Sequence, residues 1–255
     1  MEDIKNPLHG AIQNLETAAV ETASAQENFQ KDYSANEDAE MVKRRKTYTN
    51  ILNLSNIPPR YRPAELGSNC KRYESMDGKA IALELALELA ATGFIAEERS
   101  NKHALFLCGF FGVGKTWLAT AILKWYVWYH LDEFSKNNLP AWTKFHAMIR
   151  EVQACYSPAA TQDTLSVIRK YQKAPFLVID DVGDMEAGGE TEDRRRILYE
   201  VIDYRNDYQL PTTLTSNLDP DQMTGHFGAR SMQRIIELCS FEQMGGENLR
   251  EAKAA

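Results

Sequence analysis

Gly109-Phe110-Phe111-Gly112-Val113-Gly114-Lys115-Thr116 follows directly on the apolar run Ala104-Leu105-Phe106-Leu107-Cys108. The eight residues match the phosphate-binding loop pattern G-x-x-x-x-G-K-[ST] in full. The glycines open backbone conformations closed to other residues, so that successive amides turn inward around a polyphosphate at a helix N-terminus. Lys115 then offers a point charge to the β- and γ-phosphates of ATP. The Thr116 hydroxyl offers one position on Mg²⁺, an ion that prefers octahedral oxygen coordination and keeps most of its waters. Gly109, Phe110, Phe111, Gly112, Val113, Gly114, Lys115 and Thr116 are therefore the candidate nucleotide cradle.

An ordinary strand-turn-helix connection would share part of this outline, and the surroundings argue against it. An apolar strand precedes the loop, and from Thr116 to His130 there is neither Gly nor Pro. Leu118, Ala121, Ile122, Trp125 and Tyr129 recur at three- and four-residue spacing, the mark of one helix face. Trp125 and Tyr129 are thus expected to pack on a sheet, leaving Tyr126 or Trp128 exposed, where a ring could stack on nucleobases.

Further along, Pro175 introduces Phe176-Leu177-Val178-Ile179, a continuous apolar run of the kind found in a parallel strand covered on both faces. Ala141 to Phe145 and Thr212 to Ser216 read as strands, and Phe241 to Met244 as a last one. Lys79 to Phe94, Met148 to Tyr156, Thr164 to Tyr171, Thr191 to Asn206 and Gly228 to Leu238 read as helices. Alternating strands and helices predict an α/β fold: a P-loop NTPase with a doubly wound parallel sheet and ligands at the carboxyl ends of its strands.

Hydrolysis needs a carboxylate that holds the metal and a residue that positions water. Asp180 ends the buried run, which puts its carboxylate at the same sheet edge as Thr116, as a metal ligand. Asp181 is the candidate for orienting the attacking water, although Asp181-Val182-Gly183 is also turn chemistry. Asn217, after the strand Thr212 to Ser216, is placed to sense the γ-phosphate; Ser-Asn-Leu-Asp is equally a good helix start. Arg230 and Arg234 lie four apart and share a helix face. Either could reach a neighbouring subunit's phosphate, or both could form surface salt bridges.

The chain has 255 residues, 44% hydrophobic and 10% aromatic, enough for one sizeable α/β domain with an extra segment. No apolar run approaches the roughly 20 residues that span a bilayer, and a signal-peptide layout is lacking, so a cytoplasmic protein without membrane contact is expected. The four cysteines carry no C-x-x-C spacing and read as buried or half-buried thiols in a reducing compartment. A net charge of −7 argues against coating duplex DNA by bulk electrostatics. Much of it sits in the first forty positions, and the remainder is far nearer neutral.

In that acidic segment Ile4, Leu8, Ile12 and Leu15 could form one face of a short amphipathic helix, or the segment could be a frayed tail. Lys43-Arg44-Arg45-Lys46 is a compact basic cluster, open to reading as a solvated helix face or a nucleic-acid contact. Asn56-Ile57-Pro58-Pro59-Arg60-Tyr61 is expected to stop any helix and run extended into the ATPase domain. The expected division is a partly helical, partner-binding segment over 1–55, an ATPase domain over 56–250 and a tail over 251–255.

Taken in order, Asn56 to Tyr61, Gly109 to Thr116, Leu177 to Gly183, Leu198 to Arg205, Thr213 to Leu218 and Phe227 to Arg234 resemble the DnaC/IstB-like branch of AAA+ ATPases. The resemblance spans roughly Asn56 to Arg250. It implies an αβα AAA+ core of the ASCE type without a large C-terminal lid, binding ATP and Mg²⁺ in sites completed by arginines of a neighbouring copy. It implies Walker A roles for Lys115 and Thr116, the Walker B metal role for Asp180, and the first sensor for Asn217. Arg234 would be the arginine finger and Arg230 the second choice. Asp181 stands where Glu is common and is one methylene shorter, which implies slow hydrolysis.

DnaC-type members of the family load replicative helicases and contact single-stranded DNA; IstB-type members assist a transposase on duplex DNA. The Pro58-Pro59-Arg60-Tyr61 stretch leans toward the loader, whereas the short acidic N-terminal segment is unlike a well-formed helicase-binding domain. A nucleotide-gated adaptor with negligible turnover stays as an alternative, and a metabolic kinase as a remoter one.

Overall fold

The computed structural model describes residues 39–66, 79–95, 102–183, 191–246 and 248–250. The spacing at Ile4, Leu8, Ile12 and Leu15 and the tail over 251–255 lie outside them. Five strands, β1 (Ala104–Cys108), β2 (Ala141–Lys144), β3 (Leu177–Asp180), β4 (Thr212–Ser216) and β5 (Cys239–Gln243), form one sheet in the order β2-β3-β4-β1-β5. Every pairing is parallel. Parallel neighbours require crossovers, and the helices that make them cover both faces. On one side Leu105, Leu107, Trp142 and Val178 pack under α2 (Lys79–Thr92) and α3 (Lys115–Tyr129). On the other, Ala104, Phe106, Leu177, Ile179 and Leu214 pack under α4 (Phe145–Ala154), α5 (Thr164–Lys173), α6 (Glu192–Asp207) and α7 (Pro220–Leu238). The period-2 alternation of a strand thus feeds two cores, which is why β1 is apolar at every position.

Helix α3 buries a different arc from the one its spacing predicts. Tyr126 is buried, tilted against Phe176 and stacked on His130, whereas Tyr129 is 46% exposed. The helix is covered by the sheet on one side and by α2 and α1 (Ala39–Leu54) on others. A helix packed from several directions has no single stripe for a heptad-style reading to find. Trp128 meets Tyr48 of α1 edge to face, under the Arg44 guanidinium, which also pairs with Asp132 at 3.1 Å. Within the basic cluster, Arg44 is therefore engaged by the fold while Lys43 and Lys46 face solvent.

Two expectations at proline and glycine are corrected. After α1, Pro59–Tyr61 forms a 3-10 turn and not an extended run. Proline at the first position of a helical turn loses no hydrogen bond, and its fixed φ suits the turn. Helix α7 begins well before Gly228: Pro220 sits at its start and Asp219 and Gln222 make a reciprocal capping box. Gly228 (φ 79, ψ 157) breaks it into two segments, and the Arg195 side chain takes up the freed His226 carbonyl at 2.7 Å.

Candidate functional site

The sheet order decides what meets at the carboxyl edge. Strand β4 lies between β1 and β3, so the loop after β1, Asn217 after β4 and Asp180 and Asp181 at the end of β3 emerge side by side. β2 adds Lys144, whose register partner is Asp180. The loop after β1, Lys144, Asp181 and Asn217, together with residues from the Pro59–Tyr61 turn and the segment after β5, bound a cleft of about 680 Å³. Its walls include Phe111, Gly112, Gly114, Lys115, Thr116, Asp181 and Asn217.

The loop is shaped to leave donors free. Helix α3 starts from Gly114 in a left-handed conformation with no side-chain cap, so its first amides have no partner within the helix and aim at the cleft. Gly112 has φ 85, and a β-carbon there would run into the Asn248 side chain. That contact, with Leu249 N–H donating to Gly112 O at 3.1 Å, seats the segment after β5 on the loop and brings Arg250 to the cleft. Val113 is buried in the core, while Phe110 and Phe111 are 79% and 63% exposed.

The Lys115 ammonium donates to Gly109 O and Phe110 O, both at 2.7 Å, and to Asn217 Oδ1 at 2.9 Å. Burial lowers its pKa to about 8, with the charges of Asp181 and Asp180 acting the other way. A cation held by neutral oxygens beside open amides is ready for an anion that restores its charge balance. Lys115 and Asn217, 102 residues apart, are thus joined directly in the site.

Asp180 is fully buried. Burial, then the neighbouring Asp181 charge, raises its pKa to about 6, against the opposing influence of the Thr116 and Thr215 side chains. Its Oδ1 accepts from Thr215 Oγ1 at 2.7 Å, and its Oδ2 is buried with no hydrogen-bond partner among the described residues. A dry carboxylate oxygen is costly unless a cation or water satisfies it. A hard oxygen donor beside the Thr116 side chain fits Mg²⁺, an ion that takes oxygen ligands. Asp181 adopts φ 58, a left-handed conformation uncommon for a residue with a β-carbon. Its carboxylate pairs with Lys144 Nζ at 2.9 Å. Burial works to lower the Lys144 pKa, but the Asp181 hydrogen bond and the charges of both aspartates leave it raised.

Arg230 and Arg234 are not among the cleft residues. Arg230 lies 4.6 Å over the Tyr199 ring, and Arg234 pairs with Asp203 at 2.6 Å and Glu237 at 2.7 Å, so both rest against α6 of their own chain or its neighbour helix turn. The sequence reading missed Lys144, Thr215, Arg60, Tyr61 and Arg250. A lysine closing an apolar strand at the same sheet edge was a usable signal for Lys144. Arg60 and Tyr61 lay in a stretch already singled out and Arg250 at the expected end of the ATPase domain, but only their packing shows that they face the cleft.

A family model described as IstB-like ATP binding protein matches residues 5–254. The replicative helicase loader DnaI of Bacillus subtilis is 27% identical over 180 residues, which cover 65% of this chain and 54% of that protein. The chain therefore spans about half the length of that curated relative. A DnaC helicase loader crystal structure superposes with TM-score 0.58 at 20% identity, over 74% of this chain and all of that one. A DnaI crystal structure superposes with TM-score 0.55 at 25% identity, over 76% of this chain and 95% of that one. The family match runs through almost every residue: this chain belongs to the IstB-like ATP binding proteins, in the DnaC/IstB-like branch of AAA+ ATPases.

Proposed function

We propose that this protein is an ATP-driven loader that places a replicative helicase on single-stranded DNA, hydrolysing ATP slowly and acting as an oligomer. The observation that carries the nucleotide half of this reading is the meeting of Lys115, Asn217 and Asp181 around one cleft, with the orphaned Asp180 oxygen beneath it. The kinship with DnaI supports the helicase half.

In this reading the free amides of the loop and of the first turn of α3 bind the phosphates, and Lys115 moves its hydrogen bonds from the loop carbonyls to them. Asp180 and Thr116 would hold Mg²⁺, whose charge would offset that of the phosphates. Asp181 orients the attacking water, and Asn217 reports whether the γ-phosphate is present. Arg234 or Arg230 comes from a second copy, since neither lines its own cleft. An aspartate shorter than glutamate, already paired with Lys144, supports low basal turnover.

The test is co-elution with a purified hexameric replicative helicase from the same source in ATP·Mg²⁺, for the full chain and for a variant lacking residues 1–38, which spares α1. A complex that needs nucleotide supports the loader; no complex in any nucleotide state sinks it. The near full-length IstB-like match favours a second reading, a transposase partner on duplex DNA. ATP-dependent retention on duplex DNA without helicase binding is the outcome that selects it.

A further inference from the structure

Strand β4 does more than present Asn217. The β3–β4 ladder ends at the pair Ile179 and Leu214. Beyond it, two consecutive β4 residues grip three consecutive residues around the end of β3. Thr215 Oγ1 donates to Asp180 Oδ1 at 2.7 Å and accepts from the Asp181 N–H at 3.0 Å. Thr215 O accepts from the Val182 N–H at 2.8 Å. Ser216 Oγ donates to Val182 O at 2.7 Å. Thr215 and Ser216 are fully buried, so water cannot replace either hydroxyl without entering the core.

We propose that Thr215 is the positioning residue of the site, its single hydroxyl fixing the side chain of one acid and the backbone of the other. Three observations converge. The bond to Asp180 Oδ1 fixes the carboxylate rotamer and so decides that Oδ2 is the oxygen left for a ligand. The bond from Asp181 N–H helps hold a residue at φ 58, a conformation uncommon for a residue with a β-carbon. Asn217, two residues further along the chain, bonds Lys115. A hydroxyl both donating and accepting makes the two acids and the sensor one rigid unit, so displacement of Asn217 by a γ-phosphate is felt at both carboxylates. This assignment rests on the nucleotide-binding reading above.

Thr215→Val keeps the shape and removes the hydroxyl, and Thr215→Ser keeps the hydroxyl and removes the methyl. Binding of a fluorescent non-hydrolysable ATP analogue is titrated with and without Mg²⁺, beside steady-state hydrolysis and thermal unfolding. In Thr215→Val the expected results are wild-type affinity without Mg²⁺, a Mg²⁺ half-saturation raised about tenfold, and kcat lowered more than KM is raised. Thr215→Ser restores both to within about threefold. Should the valine variant not fold, Thr215→Ala takes its place with the same expectation. A folded hydroxyl-free variant with wild-type Mg²⁺ dependence overturns the proposal, as does a serine variant as impaired as the valine one. Wild-type protein that binds no analogue overturns the nucleotide reading itself, a separate outcome.

Discussion

The cleft contains residues whose conformations only their neighbours explain. Gly112 is one: its φ of 85 and the Asn248 side chain against it leave no room for a β-carbon. Gly112→Ala is expected to cost about 1–3 kcal/mol in denaturant unfolding and to weaken nucleotide affinity, because the loop and the segment carrying Arg250 must part. Lys144 is another. Its ion pair with Asp181 is partly exposed, so Lys144→Met should change stability by less than about 1 kcal/mol. An ammonium held on a carboxylate lowers its ability to accept a proton or orient water. Basal ATP hydrolysis of Lys144→Met, measured at saturating ATP, is therefore expected to rise several-fold. A fall in kcat would show that Lys144 supports Asp181 and does not restrain it. The positions of Lys115, Thr116 and Asp180 at one sheet edge were legible from residue type and spacing, because a strand end and a helix start are local signals. Lys144 was not, because its partner lies 37 residues away and only the β2–β3 register brings them together.

Among the elements, α6 carries the least expected side chain. Arg205, in its last turn, is fully buried, and among the described residues none of its hydrogen-bond acceptors is a carboxylate. It donates to Thr212 Oγ1 and to the carbonyls of Tyr171, Gln172, Ala174 and Pro211 at 2.6 to 3.1 Å. Burial lowers its pKa to about 9. One guanidinium thereby closes the end of α5 and the start of β4 at the sheet edge opposite the cleft, satisfying the carbonyls of Tyr171, Gln172 and Ala174 and sharing that of Pro211 with the Leu177 N–H of β3. Removing it leaves several buried acceptors without donors, so Arg205→Met is expected to destabilise by about 3–5 kcal/mol, read as a lower denaturant midpoint. Nucleotide affinity in the remaining folded protein should be unchanged. The helix Thr191 to Asn206 was visible from its pattern to within a residue at each end. That an arginine near its C-terminus points inward was not, since a charged residue in a last turn ordinarily faces solvent and completes the helix dipole.

For the molecule as a whole, α1 ties the residues before the Pro59–Tyr61 turn to the ATPase core. Ile51 is buried, Tyr48 packs on Trp128, and Ser55 O accepts from the Trp142 N–H of β2 at 2.9 Å. Deleting residues 1–54 is expected to lower the melting temperature clearly below that of a 1–38 deletion, measured by thermal unfolding of both; equal values would show that α1 adds nothing to the core. Legible in local sequence were the parallel α/β class, the strand-turn-helix passage through Gly109 to Thr116, and the places of Asp180 and Asn217 at the ends of their strands. Those follow from short-range rules: a strand period, a helix start, and residue types that phosphate chemistry requires at fixed spacing. Tertiary structure alone decided that Tyr126 and not Tyr129 is buried, that Lys144 holds Asp181, that Arg250 reaches the cleft and that Thr215 joins both acids. Each depends on which strand lies beside which, and strand order is set by long-range packing of two faces at once, which leaves no local periodicity to read.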